Sequence, residues 1–215
     1  MSRRYDCGVP RERADGLRDA AGAIRGGELV VLPTDTVYGV GADAFTPYAV
    51  EALLAAKGRG RDMPVPVLVS SRSMLEGVVD GLPSVGRELA DAFWPGALTL
   101  VVRHTVGLAW DLGDSRGTVA VRMPLHPVAL QLITETGPLA VSSANLSGSA
   151  PAQDAVEAAA QFGDAVAVYL DAGRCADGSA STIVDVTTDV PRVLRAGAVP
   201  LEQLREVVPA LTGVE

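Results

Sequence analysis

The chain has 215 residues and a formal net charge of -8, a size at which a domain buries roughly 70% of its unfolded surface and a charge that argues against a surface built as a nucleic-acid footprint. Only 4% of the residues are aromatic, so a core has to be built from Val, Leu, Ala and Ile, with disorder confined to the two ends. The basic start, MSRRYDCGVPRERADG, has no apolar stretch behind it, no run approaches the roughly 20 residues that cross a bilayer, and Cys7 and Cys175 stand apart from any CxxC or Cys/His cluster. A cytoplasmic protein with no membrane partner, no disulfide framework and no protein-held metal is expected.

Ala14 to Arg25 has helix-forming composition and meets a stop at Gly26-Gly27. Glu28 to Leu32 is an apolar run without alternation, the pattern of a strand covered on both faces, and Pro33 ends it. Thr34-Asp35-Thr36-Val37-Tyr38-Gly39 reads as a turn rich in local hydrogen-bonding groups, with Gly39 and Gly41 admitting conformations or close approaches that a Cβ would block. Thr46-Pro47 is a helix start, threonine as N-cap and proline first in the helix. The helix Pro47 to Lys57 sets Val50, Leu53, Leu54 and Lys57 on one side, with Gly58 just past its end. Val65 to Ser70 is strand-like, but Pro66 points to an edge position or irregular pairing.

Short helices are predicted at Ser73 to Val79 and Ser84 to Phe93, then a turn at Trp94-Pro95-Gly96, a strand from Ala97 to Arg103, a long loop over 104–117 and a strand from Thr118 to Arg122. Val128 to Thr136 is helical and closes at Gly137, and Leu139 to Ser142 is a short strand running into Ser143-Ala144-Asn145-Leu146-Ser147-Gly148. A helix from Ala152 to Phe162, strands at Ala165 to Leu170, Thr182 to Val186 and Arg192 to Leu194, and a last helix from Leu201 to Val208 complete the series. The alternation of strands and helices with short connections predicts a single α/β domain over 1–215, its ordered core at about residues 10–208.

Three clusters have chemical potential. Lys57-Gly58-Arg59-Gly60-Arg61 contains the only lysine of the chain; it suits a polyphosphate, or it is a cationic helix end that complements the dipole by roughly 0.3 to 1 kcal/mol. Ser142-Ser143-Ala144-Asn145, at the carboxyl end of a predicted strand, can present donors to an anion or can be a turn that caps the next helix. Arg122, Arg195 and Ser181 sit at strand ends; singly each is a solvated or paired group, and together with the first two they would form a positive, hydroxyl-lined cavity. No GxxxxGK[ST] loop, GxGxxG turn or GxSxG elbow is present, so a nucleotide would bind in another way. His104 and His126 lie far apart in ordinary surroundings and make poor candidates for a catalytic base.

With these pieces in view, the chain resembles the YrdC-like family, the threonylcarbamoyl-adenylate synthases. The matching segments are PTDTVYGVGADA from Pro33, AKGRGRDMPV from Ala56, WPGALTLVV from Trp94, VAVRMPLHP from Val119, VSSANLSG from Val141, STIVD from Ser181 and VLRAG from Val193, in family order along nearly the whole chain. The resemblance implies a twisted mixed β-sheet flanked by helices around a concave, positively charged cavity. It implies an enzyme that condenses L-threonine, bicarbonate and ATP, with Mg²⁺, into threonylcarbamoyl-adenylate and pyrophosphate, ahead of downstream tRNA threonylcarbamoyl-transfer proteins. The family's Lys-x-Arg and Ser-x-Asn signature falls on Lys57, Arg59, Ser143 and Asn145 as catalytic residues. ATP would be held by Arg59, Thr118, Ser143 and Arg195, and threonine by Thr34, Thr36, Arg122 and Ser181. The chain departs from some members at Met63 and Leu68, where they carry asparagine and histidine. Double-stranded RNA binding, at most weak, and carbamoyl transfer to another acceptor are the alternative readings.

Overall fold

The strands assemble into one mixed sheet because their apolar residues alternate between two covered faces. The computed structural model describes residues 2–176 and 178–213. Among these, the strands are β1 (Arg3–Asp6), β2 (Val30–Leu32), β3 (Gly39–Asp43), β4 (Val67–Leu68), β5 (Leu98–Arg103), β6 (Thr118–Arg122), β7 (Leu139–Ser143), β8 (Val168–Asp171), β9 (Thr182–Asp185) and β10 (Arg192–Arg195). The helices are α1 (Pro10–Arg25), α2 (Pro47–Lys57), α3 (Arg72–Val78), α4 (Ser84–Phe93), α5 (Pro127–Thr136), α6 (Ala155–Phe162) and α7 (Leu201–Val207). The sheet order is β1-β8-β2-β3-β7-β4-β6-β5-β9-β10. Parallel pairs join β1 to β8, β8 to β2, β4 to β6 and β5 to β9, and the remaining neighbours are antiparallel. Residues 172–181 connect β8 to β9 from one side of the sheet to the other.

The two faces are covered unequally. On one, Val31, Tyr169, Ala140, Val67, Val121, Leu98 and Leu100 pack into a core with Leu53 of α2, Leu75 of α3, Leu89 of α4, Ala158 of α6 and Leu204 of α7. On the other, Val30, Leu32, Val168, Leu170, Leu139 and Val141 pack against Leu17 and Ile24 of α1 and Leu132 and Ile133 of α5. This second cluster reaches no further than Leu68 of β4. The same face of β6, β5 and β9 therefore has no helix over it, and that gap is where the site forms.

Several expectations are corrected. Gly39 to Asp43 is a buried strand rather than part of a turn, paired with both β2 and β7. A Cβ at Gly39 would lie 2.6 Å from Val141 Cγ1, so its glycine serves a close strand approach. β4 lies between β7 and β6, not at an edge; it is only two residues long, and Pro66 precedes it and accepts from Val141 N. Thr46 occupies the N-cap position of α2, but its hydroxyl accepts from no N–H of the first turn and is turned to Asp43, donating to Oδ2 at 2.7 Å. β1 lies ahead of the first expected element, and α1 starts four residues early at Pro10, where proline is preorganised for a first turn. α2 has the expected bounds, and Gly58 ends it in the left-handed conformation at φ 61°. The helix expected from Ala152 begins at Ala155, because Asp154 accepts from Glu157 N and caps it there, a bond worth about 1 kcal/mol.

Candidate active site

Over the uncovered part of the sheet lies a cavity of about 350 Å³. Its floor comes from the strands two residues at a time: Val141 and Ser143 of β7, Ala120 and Arg122 of β6, Thr99 and Val101 of β5, and Ser181 and Ile183 at β9. Residues two apart in a strand share a face, so these pairs point the same way. The cavity therefore sits on a sheet face, with the carboxyl ends of β4, β6, β7 and β10 at Leu68, Arg122, Ser143 and Arg195 in its lining.

One wall is the turn behind β2. Thr34 Oγ1 donates to Val37 O at 2.6 Å and accepts from Thr36 N, so the hydroxyl of Thr36, 3.0 Å away, is left to donate to Thr34 Oγ1 or to a ligand. Arg122 is 6% exposed and reaches this turn from β6. It donates to Thr36 Oγ1 at 2.8 Å, Asp35 Oδ1 at 2.7 Å and Gly96 O at 2.9 Å. Asp35 Oδ1 also accepts from Leu125 N. Burial lowers the proton affinity of Arg122 and the adjacent carboxylate raises it again.

The lining also carries Arg59 and Arg195. Arg59 donates to Ser142 Oγ at 3.1 Å, and its Nε is buried with no partner. Arg195 holds Ser181 through the carbonyl at 2.7 Å and the hydroxyl at 3.1 Å, and that hydroxyl is 2.8 Å from Thr99 Oγ1. Burial lowers the proton affinity of both guanidiniums, and Arg59 lowers that of Arg195 further. An anion between them removes that repulsion. Among the described residues that line the cavity there are three arginines and no carboxylate.

The structure thus brings Thr34, Thr36, Arg59, Arg122, Ser143, Ser181 and Arg195 around one space. Lys57, Asn145 and Thr118 are not in its lining. Thr118 opens β6 on the face of Ala120 and Arg122 and donates to Ser115 O. Lys57 is buried, and its Nζ donates to Ser143 O, to Asn145 O at 2.6 Å and to Asn145 Oδ1 at 3.4 Å. Burial, and then Arg59, pull its ammonium down to about 8. Leu68 lines the cavity, whereas Met63 is an exposed side chain. Asp35, which touches Arg122, and Thr99 are parts of the site that the residue types alone did not single out, whereas Ser142 belonged to the second cluster. The legible signal for Thr99 was its place as a polar residue between inward Leu98 and Leu100.

The fold and site define a class: an α/β sheet with one half-covered face that presents arginines and hydroxyls to an anionic small molecule. The chain belongs to the Sua5/YciO/YrdC family, whose model, described as telomere recombination, matches residues 22–197. A Mycobacterium tuberculosis protein with the provisional name threonylcarbamoyl-AMP synthase is 59% identical over 208 residues, covering 97% of this chain and 96% of that protein. The threonylcarbamoyl-AMP synthase of Pyrococcus abyssi is 40% identical over 92% of this chain, which spans 59% of that longer protein. The solved structure of Pyrococcus abyssi Sua5 complexed with L-threonine superposes with a TM-score of 0.92 at 36% identity, covering 100% of this chain and 62% of that one. Escherichia coli YciO, at a TM-score of 0.81, 23% identity and coverage of 95% of this chain and 100% of that one, shares the fold. No helix among the described residues is long and apolar enough to cross a membrane.

Proposed function

We propose that the chain is an L-threonylcarbamoyladenylate synthase, a nucleotidyltransferase that condenses L-threonine, bicarbonate and ATP into threonylcarbamoyl-adenylate and pyrophosphate. Its place is the cytoplasm, at the first step of threonylcarbamoyl-adenosine modification of tRNA, with downstream transfer proteins consuming the adenylate. The observation that carries this reading is one cavity lined together by the Thr34 and Thr36 hydroxyls, Ser143, Ser181 and the guanidiniums of Arg59, Arg122 and Arg195.

The chemistry needs no protein nucleophile. Arg122 spends three of the five N–H groups of a guanidinium on Gly96, Thr36 and Asp35, leaving one on each terminal nitrogen. Those two N–H groups are donors for a carboxylate, which orients threonine with the Thr34-Thr36 hydroxyls and Ser181 beside it. The neutral threonine amine forms an N–C bond to carbon dioxide with loss of a proton to solvent, or to bicarbonate with loss of water, and either route yields a carbamate. A carbamate oxygen then attacks the α-phosphorus, and the bond to the β-phosphate oxygen breaks with pyrophosphate taking the electron pair. Arg59 and Arg195 hold the phosphates with Ser143, Thr118 stands further along β6, and the buried, unpartnered Nε of Arg59 is a donor that a phosphate oxygen satisfies. Rate enhancement comes from positioning the two substrates and offsetting charge that builds on the leaving group. Mg²⁺ fits as a companion of the nucleotide, held by phosphate oxygens and water and supplying further charge neutralisation, since no carboxylate is among the described lining residues.

The test is a substrate-omission assay for pyrophosphate. Release should require ATP, threonine and bicarbonate together, and release that persists without threonine overturns the reading.

A further inference from the structure

The single lysine of the chain lies in a segment that invites a phosphate-binding role, yet its side chain is turned away from the cavity lining and is only 3% exposed. An ammonium has three hydrogens. Three oxygens of the turn after β7 converge on Nζ: Ser143 O, Asn145 O at 2.6 Å and Asn145 Oδ1 at 3.4 Å. The backbone of the same residue holds the same turn, because Ser147 N donates to Lys57 O at 2.8 Å. Asn145 is fixed in turn by its amide, which donates to Leu146 O and Ser149 O. A compact ammonium can sit at the centre of such a cluster, whereas a planar guanidinium with a fixed fork cannot. This accounts for a lysine here in a chain whose other permanent side-chain cations are all arginine.

The geometry points to Lys57 as a positioning residue: its ammonium is the keystone of a carbonyl cage that fixes the Ser143–Asn145 turn against the end of α2, and it is not itself a ligand of the nucleotide phosphates. Through the turn it sets Ser143, which lines the cavity, and along the chain it sets Arg59, which is anchored on Ser142 next to Ser143. The inference rests on the synthase reading for what the cavity binds, and it leaves Arg59 and Arg195 as the side-chain cations on the phosphates.

The discriminating measurement compares ATP with AMP, which share the α-phosphate and differ in the β- and γ-phosphates, by calorimetric titration of the full chain. Lys57→Met should weaken both nucleotides by the same factor, whereas Arg59→Met should weaken ATP over AMP by about tenfold or more, as loss of a charge-assisted bond does. Lys57→Arg keeps the charge and should lower kcat as far as Lys57→Met does, while the KM for threonine stays at the wild-type value. Threonine binding by each variant reports that it is folded. If Lys57→Met unfolds, Lys57→Arg decides the matter: retained turnover overturns the cage, and lost turnover with an unchanged ratio of ATP to AMP affinity supports it. A Lys57→Met chain that loses ATP about tenfold more than AMP overturns the inference outright. Wild-type protein that binds both nucleotides but releases no threonine-dependent pyrophosphate defeats the synthase reading, and the nucleotide ratio still judges the lysine. Wild-type protein that binds neither nucleotide sinks both.

Discussion

Gly197 follows the Val-Leu-Arg of β10 and lies directly against the backbone that carries Ser181. A Cβ there would press on Ala180 O and stand 2.5 Å from Ser181 C and 2.6 Å from Ser181 O. Ordinary contact begins at 3.4 Å, so Gly197→Ala has to push the Ser181 peptide back by about 0.9 Å, the difference between 3.4 and 2.5 Å. These are main-chain atoms, which cannot swing aside as a side chain does. Overpacking of this kind costs about 1–3 kcal/mol, a fall in Tm of roughly 2–12 °C for a chain of this length. The displaced carbonyl is the acceptor of Arg195 Nε and one terminal nitrogen, so both Ser181 and Arg195 move within the cavity. A misplacement near 1 Å costs on the order of a hundredfold in rate. The assay is pyrophosphate release at saturating substrate alongside thermal unfolding, with Gly22→Ala as the control. Gly22 is in the last turn of α1, still helical, with nothing within 4 Å of an added Cβ, and that change should stabilise by up to about 0.5–1 kcal/mol without touching turnover. Wild-type turnover in Gly197→Ala refutes the argument, as does a loss of turnover no larger than the unfolded fraction explains.

Asp35→Asn leaves the buried Arg122 guanidinium without its charge partner and should cost about 3–5 kcal/mol of stability. Thermal unfolding of the double variant with Arg122→Met should recover part of that loss, and simple additivity would show the pair to be uncoupled. His126 is half-buried with an unpartnered Nδ1, and burial holds its proton affinity below the ordinary 6.5. The unfolded chain then binds the proton more readily, so stability falls as the pH drops through 6.5, and denaturant titration of His126→Leu should show a shallower acid limb. For Lys57 the folded value of about 8 lies below the unfolded 10.5. The unfolded chain holds the extra proton between these values, so wild-type stability measured against Lys57→Met should rise across that window as the pH rises.

Local chemistry made part of the molecule readable in advance. α2 has the bounds that Thr46-Pro47 and Gly58 suggest because its limits depend on a proline and a left-handed glycine a few residues apart. β3 was hidden because Gly39 and Gly41 look like turn residues until Val141 of β7, a hundred residues away, is seen pressing on them. Thr46 fills the N-cap position without the cap bond, and its hydroxyl is instead turned to the Asp43 carboxylate, a local partner that the Thr-Pro pattern does not reveal. At the site, the arginines and hydroxyls stood out by type, but their grouping depends on which half of a sheet face α1 and α5 leave open. That is a property of non-local packing. Lys57 shows the limit most directly, since a lysine within Lys-Gly-Arg reads as a phosphate ligand until the three turn oxygens around its ammonium are located.

The connection over 172–181 has a geometric consequence of its own. β8 and β9 run in the same direction, so the chain leaves one strand at its far end and must enter the other at its near end, seven strand positions away. On a flat sheet seven spacings measure about 34 Å before any of the return along the strand is added. The eleven steps from Asp171 to Thr182, stretched to the limit, reach only about 36–40 Å, and this connection is not stretched, with Gly173 at φ 79° and Gly178 at φ 62°. A bent tether of this length has no slack for a plane, so the curl of the sheet that brings Thr34 and Ser181 to one hollow is also what lets so short a connection join β8 to β9.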